Sequence, residues 1–352
     1  MIQSNEKQGY ILYQYCSFSM IPTLSRRDFL RFFGSNLLSL GFLFAIPKNF
    51  AFIQSQTIPL GRTTRSLNYY DLPSYSSKEL GSYNTDTIVN IIGERLGDQE
   101  PAHNPLWYQT EKGWIHSAYV QPVKNILNEP MLDIPTGGML CEVTVPFTQA
   151  WIIDNDRKKR SYRFYYGSTH WISYAIKAYD NSIWYRIVDD YYEASYMAYG
   201  RHFKPVLAEE MVPISALNIN KKIEIDLVNQ KLVAFENDRP IYMSRIATGY
   251  FEGDTPIGEF SIERKQPSRH MVGGSETRRF DLPGVPWVCF ISWTGVSIHG
   301  TYWHNNYGTP QSHGCINLPL EAAKWVYRWT LPEVPVNDDY VESEFGTKVV
   351  IQ

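Results

Sequence analysis

Lys222-Ile223-Glu224-Ile225-Asp226-Leu227, then Asn229-Gln230, then Lys231-Leu232-Val233-Ala234-Phe235: this stretch decides the fold class. In its first six positions isoleucine and leucine alternate with charged residues. That period of two puts one face of a strand in a core and the other in water. Asn229-Gln230 supplies a turn, and the apolar run after it begins the return strand of a hairpin. Further strands are expected at Ile241 to Thr248, after the turn in Thr255-Pro256-Ile257-Gly258-Glu259-Phe260, at Trp287 to Ile291, at Gly295 to Ile298 and at Thr347-Lys348-Val349-Val350-Ile351. One helix is expected after Pro319, which suits a first helical position, with Ala322, Val326 and Trp329 on one face. Trp325 and Trp329 read as packing residues. The stretch from Ser268 to Pro283 lacks strand periodicity and holds several glycines, so it reads either as a lid or as a surface loop without a role.

The whole chain has 352 residues, enough for two or three domains. Aromatic residues make up 15% and tyrosine alone occurs 25 times, which favours β-rich modules over helical bundles. The formal net charge is −3, so the basic footprint needed for a phosphate backbone is missing and nucleic acid is excluded as a partner.

The chemistry gathers in Ser312-His313-Gly314-Cys315-Ile316-Asn317-Leu318, with His299-Gly300 upstream. A thiol becomes an acyl-transfer nucleophile when a histidine takes its proton. Glycine before the cysteine removes a side chain, so a substrate carbonyl can approach backbone N–H groups that would stabilise an oxyanion. Of the four cysteines, Cys16 lies in the leader, and Cys141 and Cys289 lie in apolar alternations that suit buried core thiols. A disulfide between those two stays open at this stage, and Cys315 is the natural free thiol. If a helix N-terminus points at its sulfur, the thiol pKa is expected to fall. His299, His304, His313 and Cys315 lack the spacing of a helical zinc site and no glutamate is placed as a base, so neither metal nor other cofactor is expected.

Residues 1–55 read as a leader. Ser25-Arg26-Arg27-Asp28-Phe29-Leu30-Arg31 precedes an apolar segment from Leu37 to Ile46, too short to span a bilayer and of signal-peptide length. The stretch resembles a twin-arginine export signal. Met20 would give a more ordinary leader length, and no clean Ala-x-Ala cleavage site follows. The expectation is export to the cell wall or periplasm, with membrane contact only through the leader if it is uncleaved.

Between leader and catalytic stretch lie two turn-dense segments, 56–125 and 138–215. Leu106-Trp107-Tyr108 is echoed by Ile183-Trp184-Tyr185, Tyr119-Val120 by Tyr196-Met197, and Gln121-Pro122-Val123 by Lys204-Pro205-Val206. This is a diverged internal repeat with residues inserted in the second copy. Both copies resemble bacterial SH3-like modules, small β-barrels of wall-associated enzymes. That implies either a surface for wall glycan or peptide, or spacers whose aromatics fill small cores.

Residues 219–352 resemble the L,D-transpeptidase catalytic domain of the YkuD type, on His299, Ser312, His313, Gly314, Cys315, Ile316 and Asn317 and on the strand and turn residues quoted above. The resemblance implies a mixed β-sandwich with a short helix after the cysteine, so the fold class of the chain is mainly β. It implies Cys315 as nucleophile, His299 as general base and acid, and the Gly300 carbonyl as the group that orients His299. It also implies an oxyanion hole from the N–H groups of His313, Gly314 and Cys315, and a pocket shaped by Trp303, Ser312, Asn317 and Met271. The His313 side chain and Ser312 are then structural, and His304 is a loop histidine. The implied substrate is the peptidoglycan stem tetrapeptide, cut with release of D-alanine and joined in 3-3 cross-links. The alternatives are an L,D-carboxypeptidase on the same stems and a catalytically inactive wall-binding protein. The spacer between His299 and Ser312 is slightly shorter than in several members.

Overall fold

The alternation at 222–235 is a hairpin in the computed structural model. Strands Lys221–Asp226 and Lys231–Glu236 pair antiparallel, with Ile223 opposite Ala234 and Ile225 opposite Leu232. All four of those side chains are buried, and each isoleucine or leucine so removed from water contributes about 2 kcal/mol. Residues 59–98, 101–154, 157–192, 194–216, 219–335 and 337–352 are described, all within the compact unit Gln56–Gln352. The leader residues 1–55, with Cys16, Met20 and the Arg26-Arg27 pair, lie outside the described residues.

The hairpin belongs to a five-stranded sheet in the order Arg239–Arg245, Lys231–Glu236, Lys221–Asp226, Lys348–Ile351, Gly258–Ser261. A second sheet runs Ile316–Leu318, Ser297–Gly300, Phe280–Phe290, Arg264–Gly273, Val341–Glu342. Their apolar faces and the helix Leu320–Trp329 share one core, with Ile223, Leu232, Cys289, Ile298, Ile316 and Val326 among its members. Pro319 occupies the helix N-cap, one position before the expected first turn, and Ala322, Val326 and Trp329 are buried as expected. Trp325 stacks on Tyr242, ring centroids 4.0 Å apart. At the other end of the helix the buried Lys265 Nζ donates to the carbonyls of Tyr327, Thr330 and Pro332, which places a cation on acceptors the helix end leaves unsatisfied. The described residues hold no helix long and apolar enough to cross a membrane.

The stretch from Ser268 to Pro283 is not a loop. Strands Arg264–Gly273 and Phe280–Phe290 form a long hairpin, paired from Arg264 opposite Phe290 to Gly273 opposite Phe280, with a bulge near His270. Pro267, Pro283, Pro286 and the glycines hid it, because the bulge and irregular pairing accommodate residues that an isolated strand pattern would reject.

The repeat shows in how each segment closes. In the first, Val120–Val123 pairs antiparallel with the opening strand Leu60–Thr63; in the second, Phe203–Pro205 pairs with Met139–Val143. A 3-10 turn precedes each closing strand, Ser117–Tyr119 and Gly200–His202. Both segments also carry a hairpin after the opening strand, Leu67–Tyr70 with Glu79–Tyr83 in the first and the longer Phe147–Asp154 with Arg157–Tyr165 in the second. One sequence echo is out of place. Tyr196-Met197 lies in a strand before the turn, and the structural counterpart of Tyr119-Val120 is His202-Phe203.

Both segments are tied to the C-terminal sandwich. Leu140, Val206 and Met211 of the second join the core of the C-terminal sandwich. From the first, buried Arg62 donates to the Tyr302 carbonyl at 2.6 Å and pairs with Asp86 at 2.7 Å. Ala118 O accepts the Asn305 N–H at 2.8 Å, and His103 Nε2 lies 3.0 Å from Asn306 Oδ1. The chain between His299 and Ser312 is thus held from outside by the first segment.

Candidate active site

Two short parallel strands build the site. Ser297–Gly300 and Ile316–Leu318 align Ile298 with Ile316 and His299 with Asn317. Cys315, one residue before the second strand, therefore lies beside Ser297, and alternation puts Ser297 and His299 on the same sheet face. Cys315 Sγ is 3.6 Å from Ser297 Oγ and donates to Gly295 O at 3.7 Å. Ser297 is fully buried and Cys315 is partly exposed. Cys141 and Cys289 are free, buried thiols, so the disulfide left open by the sequence is absent.

His299 is buried, and its Nδ1 lies 3.0 Å from Gly300 O. A carbonyl only accepts, so Nδ1 carries the proton and Nε2 keeps the lone pair that a general base needs. No hydrogen bond joins His299 to Cys315. Burial lowers the imidazole to about 4, with the Gly300 bond pulling the other way. Burial also raises the thiol, against the hydroxyl and N–H of Ser297, which lower it. Both shifts favour a neutral thiol beside a neutral imidazole at neutral pH. The expected lowering by the helix is not found, because strand Ile316–Leu318 and Pro319 separate the sulfur from the helix N-terminus and a helix-end charge fades within a turn.

The loop before Cys315 is tied down strand-like. Ser312 N and Gln311 N both donate to Thr248 O, and Tyr250 N donates to Ser312 O. Thr255 Oγ1 donates to Gly314 O at 2.8 Å and accepts from Gly249 N at 2.8 Å. Gly314 has φ +133°, and a Cβ there would sit 2.6 Å from Asp254 O, so only glycine fits. Ser312 Oγ donates to Cys315 O at 2.6 Å and accepts Gly314 N–H at 3.0 Å. Of the three N–H groups expected to line an oxyanion hole, that of Gly314 is engaged by Ser312 in this structure, whereas those of His313 and Cys315 have no partner among the described residues.

The remaining expected residues surround this centre. The Trp303 ring lies 5.7 Å from His299, and Trp303 and Met271 pack into one cluster with Val285, Val288 and Phe290. Asn317 is buried. One of its amide atoms faces His304 Nε2 at 2.9 Å and the other is buried without a partner. His304, expected as an ordinary loop residue, is buried, and burial lowers it to about 3. His313 is exposed, its ring 4.9 Å from Phe280 at the tip of the long hairpin. Arg278, also at that tip, donates to Ser312 O at 3.3 Å. The hairpin is therefore a flap that reaches from Trp303 to the nucleophile loop. Sequence reasoning missed Ser297 and the structural part of His304; position 297, two before His299 in a strand, was the available signal. Among the described residues no group of three or more His, Cys, Asp or Glu is placed to hold a metal ion.

Residues 220–351 match the YkuD family, the L,D-transpeptidase catalytic domain. No curated protein matches the chain. Among solved structures, a cysteine-to-serine mutant of the Enterococcus faecium L,D-transpeptidase is similar at 26% identity over 38% of this chain and 50% of that one, TM-score 0.31. An L,D-transpeptidase from Mycobacterium smegmatis is similar at 18% identity over 49% and 90%, TM-score 0.32. The chain thus spans about half the length of the E. faecium protein. In the matched region the sandwich, the flap and the parallel strand pair carry the site, and the two N-terminal segments brace it.

Proposed function

We propose that the protein is a peptidoglycan L,D-transpeptidase with Cys315 as nucleophile and His299 as base. The observation that carries this is the Nδ1 bond from His299 to Gly300 O, which leaves Nε2 basic on the sheet face that also bears the Cys315 thiol. The YkuD match supports the substrate class. Cys315 loses its proton to His299 Nε2 as sulfur attacks the carbonyl carbon of the third stem residue. The oxyanion takes the free N–H groups of His313 and Cys315. Collapse forms a thioester and expels D-alanine, whose amine takes the proton from His299. The side-chain amine of a second stem then attacks the thioester, giving a 3-3 cross-link and restoring the thiol. Trp303, Met271 and Asn317 shape the donor pocket, with Ser312 bracing the loop beneath it, and the aromatic surfaces of the N-terminal segments contact wall glycan or peptide.

The work site is extracytoplasmic, reached through the twin-arginine leader. Cell fractionation of the Arg26→Lys, Arg27→Lys pair tests that part; unchanged export would remove it. The activity is tested with purified protein and disaccharide tetrapeptides, read by mass spectrometry. Cross-linked dimers with free D-alanine, lost in Cys315→Ala, are the expected products. D-alanine and tripeptides without dimers would make it a carboxypeptidase, and no turnover would leave a wall-binding protein.

A further inference from the structure

The base of the flap is built into the second N-terminal segment. Thr169 Oγ1 donates to Pro267 O at 2.7 Å, and Ser268 Oγ donates to Thr169 O at 2.5 Å. Gly284, φ +68°, lies so close to His170 that a Cβ would sit 2.3 Å from its ring. Beyond these contacts, His270 on the flap is gripped from two sides. Its Nδ1 lies 2.6 Å from Asp189 of the second segment, and its Nε2 lies 2.6 Å from Asp281 on the other flap strand. Its backbone N–H donates to Asp190 at 2.8 Å, and Arg269 pairs with Asp190 at 2.8 Å. Tyr162 donates to both Asp281 oxygens, and the rings of Tyr162, Tyr191 and Tyr192 pack on His270.

Two carboxylates accept and do not donate, so both imidazole nitrogens carry protons and His270 is an imidazolium. We propose that Asp189, acting through His270, positions the flap over Cys315, which makes the second segment a working part of the donor site. The geometry supplies the linkage. His270 adjoins Met271 of the Trp303 cluster, and Asp281 adjoins Phe280, whose ring packs on His313. The residue type supplies a pH signature. Burial alone would lower His270, but the bonds to Asp189 and Asp281 outweigh it and the net shift is upward. The groups facing it are Asp189, Asp190 and Asp281, the cation Arg269, the three tyrosines and neutral His170, which burial lowers to about 3. A raised histidine holds its bridge fully below its ordinary value and loses it as pH climbs through the raised one.

The test is hydrogen exchange of peptides spanning 271–283 in the wild type, Asp189→Asn, Asp281→Asn and His270→Gln. Two reactions of Cys315 followed by intact mass accompany it: acylation by a carbapenem, which must enter under the flap, and alkylation by iodoacetamide, which need not. Expected are faster flap exchange in the variants with strands 221–236 unchanged, carbapenem acylation slowed about tenfold and alkylation within about twofold. Wild-type flap exchange is expected to accelerate beyond its intrinsic rise as pH climbs past the ordinary histidine range and through the raised value, and the variants to lack that step. Unchanged flap exchange, or exchange and both reactions altered together across the whole YkuD domain, would overturn the proposal. The acylation arm rests on the acyl-transfer reading above. If the wild type itself is not acylated, that reading fails while the exchange arm still decides the positioning role; should Asp189→Asn or His270→Gln not fold, Asp281→Asn, whose carboxylate is one-third exposed, decides it alone.

Discussion

Ser297 and Cys315 face each other across the parallel strand pair, Oγ 3.6 Å from Sγ, in the place where a direct thiol–imidazole bond would be looked for. The serine hydroxyl can accept from the thiol and donate to the thiolate, so it serves both protonation states. Replacing it with alanine removes a donor to the anion. Ser297→Ala is expected to move the thiol pKa further up and to slow alkylation at fixed pH about three- to tenfold. A pH profile of iodoacetamide modification measures this, and Ser297→Thr should recover most of the loss. An unchanged profile would show that the hydroxyl does not act on the sulfur.

The resting pair is neutral, and this has a kinetic signature. With His299 lowered to about 4 and Cys315 raised by burial, the thiolate fraction rises about tenfold per pH unit through neutrality. Alkylation should climb steadily from acid into alkaline solution. A plateau beginning in the acid range would instead mean a thiolate–imidazolium pair. The transfer of the proton then belongs to the attack on substrate, where the oxyanion and N–H groups compensate for it.

Gly314→Ala would test the nucleophile loop. The added Cβ meets the Asp254 carbonyl, and the backbone angle is one that alanine rarely adopts. A cost of about 1–3 kcal/mol is expected, with acylation of Cys315 slowed at least tenfold as the loop shifts. Chemical denaturation and intact-mass kinetics on the same sample separate the two effects. Full acylation at wild-type rate would show that the loop tolerates the shift.

Lys265 gives a prediction on stability alone. Its ammonium serves three carbonyls at the C-terminal end of the helix Leu320–Trp329 in a buried setting. Lys265→Met keeps the stem and removes the donor, so these acceptors lose their partner. A loss of about 2–5 kcal/mol in denaturant unfolding is expected, and a loss under about 1 kcal/mol would mean that water replaces the ammonium.

How much of this was legible in the chain varies with how local its cause is. The hairpin at 222–235 was legible because one buried face imposes an alternation on neighbouring residues. The contact of His299 with the Gly300 carbonyl was implied by the family resemblance, and the structure holds the two 3.0 Å apart. A lid was one of two readings for the flap, but its strand pairing was not legible, since its prolines and glycines are accommodated by pairing between strands and by close packing on His170, neither visible in a local pattern. Ser297 and His304 owe their roles to strands brought together from eighteen and thirteen residues away. The thiol pKa depends on burial, which the helix argument left out, and the bracing by Arg62 depends on a contact across 240 residues.

The central claim is that Cys315 is an acyl-accepting nucleophile. Incubation of the purified protein with a carbapenem, followed by intact mass, tests it most directly. One covalent adduct on the wild type, absent in Cys315→Ala and strongly slowed in His299→Ala, is the predicted result. No adduct on the wild type, or an adduct that persists in Cys315→Ala, would contradict it.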